Sequence, residues 1–129
     1  MSADDLARLD VFVTCLAIGL MMGAERERRP SAKAGIRTFA LIALLAPVLS
    51  EVGRATGVPW LPALGFVAVG ATMVAAYAAS PVPDDPGTTT IVATLLCYGL
   101  AVMAVHGEAQ ITVMVAIAAT ALLYFKTEL

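Results

Sequence analysis

Five apolar runs divide this chain, and polar, proline- or glycine-rich breaks close each of them off. The runs cover approximately Leu9 to Ala24, Ile36 to Val52, Leu61 to Ala79, Thr89 to Val105 and Ala109 to Phe125. Apolar residues make up 60% of the sequence and charged residues 14%, against about 45–50% and about 25% in an average soluble domain. One domain of 129 residues has no interior large enough to hide that much apolar surface. Hydrocarbon removes the need to hide it. Strict apolar/polar alternation is absent, which disfavours a β-barrel and leaves helices. The expected fold is therefore all-α, a single transmembrane bundle of about five short helices over residues 1–129. Several runs fall short of the ~20 residues of a usual crossing. Interfacial Thr and Ser, snorkelling Arg and Lys, or a thinned bilayer make up the difference.

The breaks agree with this division. Gly53, Gly57, Pro59 and Pro62 separate the second and third runs, with Trp60 suited to a membrane interface. Ser80 to Gly87 holds three prolines, which stop any helix. His106-Gly107-Glu108 is a short polar break. The first ten residues carry Asp4, Asp5 and Asp10 against Arg8, the wrong charge for a secretory signal. The first run is thus expected to stay as a membrane helix.

The basic residues set the expected orientation. Arg26, Arg28, Arg29, Lys33 and Arg37 crowd the bend between the first two runs. By the positive-inside rule this bend is cytoplasmic. Five crossings then put the N-terminus outside and the C-terminus, with Lys126, inside.

The same bend holds the chain's most specific residue pattern, Gly23-Ala24-Glu25-Arg26-Glu27-Arg28-Arg29 followed by Ala34-Gly35-Ile36-Arg37-Thr38-Phe39. At 100° per residue, Phe12, Cys15, Gly19, Gly23 and Arg26 share one face of the first helix. Ile18, Met22, Glu25 and Arg29 share another. Glu25 and Arg29 are i,i+4 partners in the favourable order. Glu25, Arg26 and Arg37 adjoin apolar residues, where an unpaired charge is costly. A bidentate pairing of Glu25 with Arg37 across the bend is the expected lock. Gly19 and Gly23 form GxxxG, and Ala68, Thr72 and Ala76 form a small-residue row beside Ala71, Ala75 and Ala79. Both suit close helix packing in lipid.

Gly23 to Arg29 with Ala34 to Leu41 resembles the signature of the MgtC/SapB family of bacterial membrane proteins, over Gly19 to Leu45. Gly87-Thr88-Thr89-Thr90 is similar to the segment that opens a later helix in that family. Where related sequences often carry an acidic residue, this chain has Ile91. The resemblance implies a multi-pass protein of the bacterial inner membrane, linked to growth at low magnesium or, in some members, to the F-type ATP synthase. No soluble C-terminal domain of the kind found in MgtC proper is expected.

Two functions fit these residues. One is a regulatory or interaction protein of ion (magnesium) homeostasis or membrane energetics. Its cytoplasmic docking point would comprise Glu25, Arg26, Arg29, Arg37 and Thr38. The other is a homo-oligomeric ion or small-solute transporter, with Thr88, Thr89 and Thr90 as a polar path. Expected partners are the lipid bilayer, a second copy in a parallel dimer and a membrane complex. A net charge of −2 offers nucleic acid no basic surface. No catalytic set is visible, so an enzyme is not expected, nor is a cofactor. Cys15 and Cys97 read as small hydrophobes. His106 is a lone histidine, and Asp84 with Asp85 supply too few oxygens for a dedicated metal site.

Overall fold

The Ser2 hydroxyl accepts from the Asp5 backbone N–H at 3.2 Å, and the Asp5 carboxylate accepts from the Ser2 N–H at 3.3 Å. This capping box satisfies two orphan donors and starts helix α1 at Ala3 rather than near Leu9. The computed structural model describes residues 2–28, 35–79 and 88–128. They form α1 (Ala3–Glu27), α2 (Ile36–Thr56), α3 (Leu61–Ala79), α4 (Thr88–Val105) and α5 (Ala109–Glu128). No strand occurs among the described residues. Helix α2 runs a turn beyond the apolar stretch and ends on Gly57 in the left-handed region, at φ 75°. An L side chain is disfavoured there, and glycine is the usual solution. The bounds of α3 coincide with its apolar run.

Helices α1 to α4 are each long and apolar enough to cross a membrane, while the apolar part of α5, Gln110–Phe125, is shorter. Large apolar side chains face outward: Leu41, Val67 and Leu122 are each more than 60% exposed. Such a surface suits lipid, not water. Hydroxyls follow the same logic. Thr14, Thr56, Thr72, Thr112 and Thr120 each donate to the carbonyl four residues earlier. Polar groups satisfied within their own helix are tolerated in hydrocarbon.

Helix α4 is the hub. It touches α1, α2, α3 and α5, while α3 and α5 do not meet. The other helices fan around it in the order α3, α2, α1, α5. Its buried residues include Thr90, Ala93, Thr94, Cys97, Tyr98 and Ala101. The tightest contact is between α1 and α2. A Cβ added at Gly19 would come within 2.7 Å of the Phe39 carbonyl oxygen and 2.8 Å of Ala40 Cα. One at Gly23 would lie 2.6 Å from Ile36 Cα. The GxxxG face is therefore filled by the protein's own second helix.

The alanine row of α3 is placed otherwise than expected. Ala68, Ala71, Thr72, Ala75 and Ala79 are exposed, and Ala76 is half-buried. Helix α3 buries Gly65, Val69, Met73 and Tyr77 instead. These recur every four residues and form one narrow ridge. Gly65 lies against the Tyr98 side chain, whose hydroxyl donates to the Pro62 carbonyl at 2.7 Å. The α3–α4 contact is thus fixed by a hydrogen bond as well as by packing. Both cysteines are free and buried.

Candidate functional site

The last turn of α1 carries two charges into the protein. Glu25 and Arg26 are both buried, Arg26 at 1% exposure. Gly23 contributes: with α2 seated directly on its backbone, Arg26 on the same face is enclosed, while Ala24 and Glu27 stay exposed. Arg26 Nη1 donates to Thr90 Oγ1 on the first turn of α4 at 3.4 Å. Arg26 Nη2 lies 3.9 Å from Glu25 Oε1. The other Glu25 oxygen accepts from Arg28 Nη1 at 2.8 Å. Burying a guanidinium is tolerable only with such company, because an isolated ion in a dry site is very costly. The two motifs that the sequence keeps far apart, the charged bend and the threonine run, thus meet at one end of the bundle.

Arg28 turns the other way. Its side chain is 43% exposed, and its guanidinium lies over the Tyr124 ring of α5, 4.7 Å from the centroid. Cation–π attraction of this kind adds to the ion pair with Glu25. Arg28 therefore ties the end of α1 to α5, as Arg26 ties it to α4.

The expected lock between Glu25 and Arg37 is not formed. Arg37 is exposed, and it makes no ion pair among the described residues. The carboxylate that spans the bend is Glu27, whose Oε2 accepts from the Ile36 backbone N–H at 2.7 Å. Gly35, the N-cap of α2, offers no side-chain cap of its own. An acidic residue at a helix N-terminus satisfies an orphan donor and complements the dipole. The sequence contained this signal in Glu27 and the glycine before Ile36, but helical-wheel arithmetic does not show contacts across a turn. Thr38 is half-buried one residue beyond Arg37. Thr88 is exposed and Thr89 half-buried, while Thr90 is buried. Arg29 and Lys33 of the bend, Gly87 of the threonine segment, and Asp84 and Asp85 lie outside the described residues. Among the described residues no group of three or more His, Cys, Asp or Glu is placed to hold a metal ion.

Tyr124 and Arg28 are the partners that sequence reasoning missed. The available sign was an aromatic residue near the end of a membrane helix, where tyrosine is enriched.

The sequence profile of the MgtC family matches residues 12–129. The chain belongs to the MgtC family. The match takes in the whole arrangement above, from the glycine face of α1 to α5. Comparison with curated proteins and with solved structures finds no match for this MgtC-family chain. It is an all-helical membrane protein of that family, with the last turn of α1 set against the start of α4 through Arg26 and Thr90.

Proposed function

We propose that this MgtC-family membrane protein acts as a regulator in ion, chiefly magnesium, homeostasis or membrane energetics, by docking on another complex of the bacterial inner membrane. The observation that supports this reading is the division of labour among the arginines. Arg26 is turned inward onto Thr90 and Arg28 is held by Glu25 and Tyr124. Arg37 stands exposed on the first turn of α2, without an ion pair among the described residues. A guanidinium on a rigid helix at the membrane boundary suits bidentate capture of a partner's carboxylate. The basic residues of the bend support a cytoplasmic position for it, with the N-terminus outside and the C-terminus inside. A parallel homodimer is the assembly we favour.

One observation favours a second reading, a homo-oligomeric transporter. The buried Glu25–Arg26 pair beside Thr90 is the kind of intramembrane charge found along ion or proton paths. The two readings separate in liposomes loaded with dyes for Mg²⁺, other cations and protons. The regulatory reading expects no flux, together with site-specific crosslinking to one membrane complex from position 41, an exposed site one turn further along α2, that is lost when Arg37→Ala is added. Flux that disappears in Glu25→Gln would replace it with transport.

A further inference from the structure

A cavity of about 310 Å³ lies between α4 and α5, closed at its back by α1. Its wall is formed by Met22, Val92, Ala93, Leu96, Ala119 and Leu122, among others. That volume sits at the lower end of the about 300–1,000 Å³ found for small-molecule sites. It is too small for a whole amphiphile and suits part of one. Val92 is 56% exposed and Leu122 is 72% exposed. The cavity therefore opens sideways to the surroundings of the bundle, which in a membrane protein are lipid tails.

One end of the cavity is polar. Thr88 and Thr89 line it there. Arg28 and Tyr124 lie at the same ends of α1 and α5, just beyond Met22 and Leu123. Among the described residues, the exposed charged group on the α5 side of this rim is the Arg28 guanidinium. Arg28 keeps 43% of its side chain exposed, whereas the Glu25 side chain that holds it is 5% exposed. Glu27, also exposed, is turned the other way, toward α2, where it accepts from the Ile36 N–H. An apolar slot open to hydrocarbon, with hydroxyls and a fixed guanidinium at its membrane-boundary end, matches an acyl chain joined to an anionic headgroup.

We infer that this cavity takes one acyl chain of an anionic phospholipid, with the headgroup phosphate against Arg28, Thr88 and Thr89. The site is separate from the proposed docking point. It depends on Arg28 and the α4–α5 slot, not on Arg37, so either proposal survives failure of the other. Bound lipid would brace α5, the helix with the shortest apolar stretch, against α4.

Native mass spectrometry of the detergent-purified protein, with added phosphatidylglycerol or phosphatidylcholine of identical chains, tests this. Phosphatidylglycerol is expected to be retained in preference. Arg28→Gln, a partly exposed position, is expected to cut that preference about fivefold, the worth of one basic residue at an anionic membrane surface. Ala119→Phe, which fills the slot, is expected to abolish preferential retention. Val92→Trp, which covers the slot from an exposed position, is expected to do the same without disturbing the core. Free glycerol phosphate is expected not to displace the lipid. Equal retention of the two lipids would overturn the proposal, as would a preference untouched by both slot variants. Displacement by glycerol phosphate would reduce the site to a phosphate contact and overturn the acyl-chain assignment.

Discussion

The α1–α2 contact at Gly19 and Gly23 has no spare space, whereas the α4–α5 contact holds a cavity. Where α1 meets α2, Gly19 and Gly23 let α2 approach until no methyl group fits between them. Where α4 meets α5, the buried stripe of α5 is Thr112, Ala116, Ala119 and Leu123, and a slot of about 310 Å³ persists. In lipid there is no hydrophobic drive to close such a gap, so dispersion and backbone approach decide how tightly helices pack. Glycine at i and i+4 gives the first pair that approach. The consequence reaches the site: the tight pair encloses Glu25 and Arg26, and the loose pair leaves Thr88 and Thr89 accessible.

The contrast is most exposed to disproof at Gly23. Gly23→Leu drives a side chain into the Ile36 backbone, which cannot yield as a flexible side chain would. A loss of about 3 kcal/mol or more is expected, at or beyond the usual cost of overpacking. Thermal unfolding in detergent measures it, and an unchanged transition would mean that the α1–α2 contact is not as close as described. Arg26→Met comes next. It keeps the bulk but removes a charged hydrogen bond to Thr90 and leaves Glu25 to Arg28, for an expected loss of about 2 kcal/mol. Full stability in that variant would show that Arg26 does not stay inside. Tyr98→Phe removes the hydroxyl bond to Pro62, with an expected loss of about 1 kcal/mol on the same assay. The smallest effect has the opposite sign. A Cβ at Gly99 of α4 would meet nothing within 4 Å. Gly99→Ala is therefore expected to stabilise by about 0.5–1 kcal/mol, the usual helix-interior difference. Equal destabilisation at Gly23 and Gly99 would erase the distinction between tight and open contacts.

Much of this architecture is legible in the residue order. The five apolar runs mark the five helices, and the GxxxG spacing marks the face on which α1 packs. The errors share a physical cause. Helix ends are decided by capping, which is local but not apolar: Ser2 with Asp5 extends α1, and Gly57 lets α2 run past Val52. Partners across the bend are decided by three-dimensional approach. Glu25 finds Arg28 rather than Arg37, and Glu27 caps α2. The Arg26–Thr90 contact joins residues 64 positions apart, and no periodicity in either segment announces it. The same limit explains why the alanine row of α3 faces outward. Small residues permit close packing, but which face is used depends on the neighbour, here Tyr98 against Gly65.

The two arginines divide between inside and outside the bundle, with Arg26 turned in to Thr90 and Arg37 exposed at the boundary proposed to be cytoplasmic. Membrane-impermeant maleimide labelling of Arg37→Cys and Thr90→Cys, in right-side-out and inverted vesicles, tests this most directly. The native Cys15 and Cys97 are buried, so background labelling should be low. Rapid labelling of Arg37→Cys in inverted vesicles alone, with Thr90→Cys protected in both preparations, is the expected result. Labelling of Thr90→Cys as fast as Arg37→Cys, or of Arg37→Cys from the outside, would contradict it.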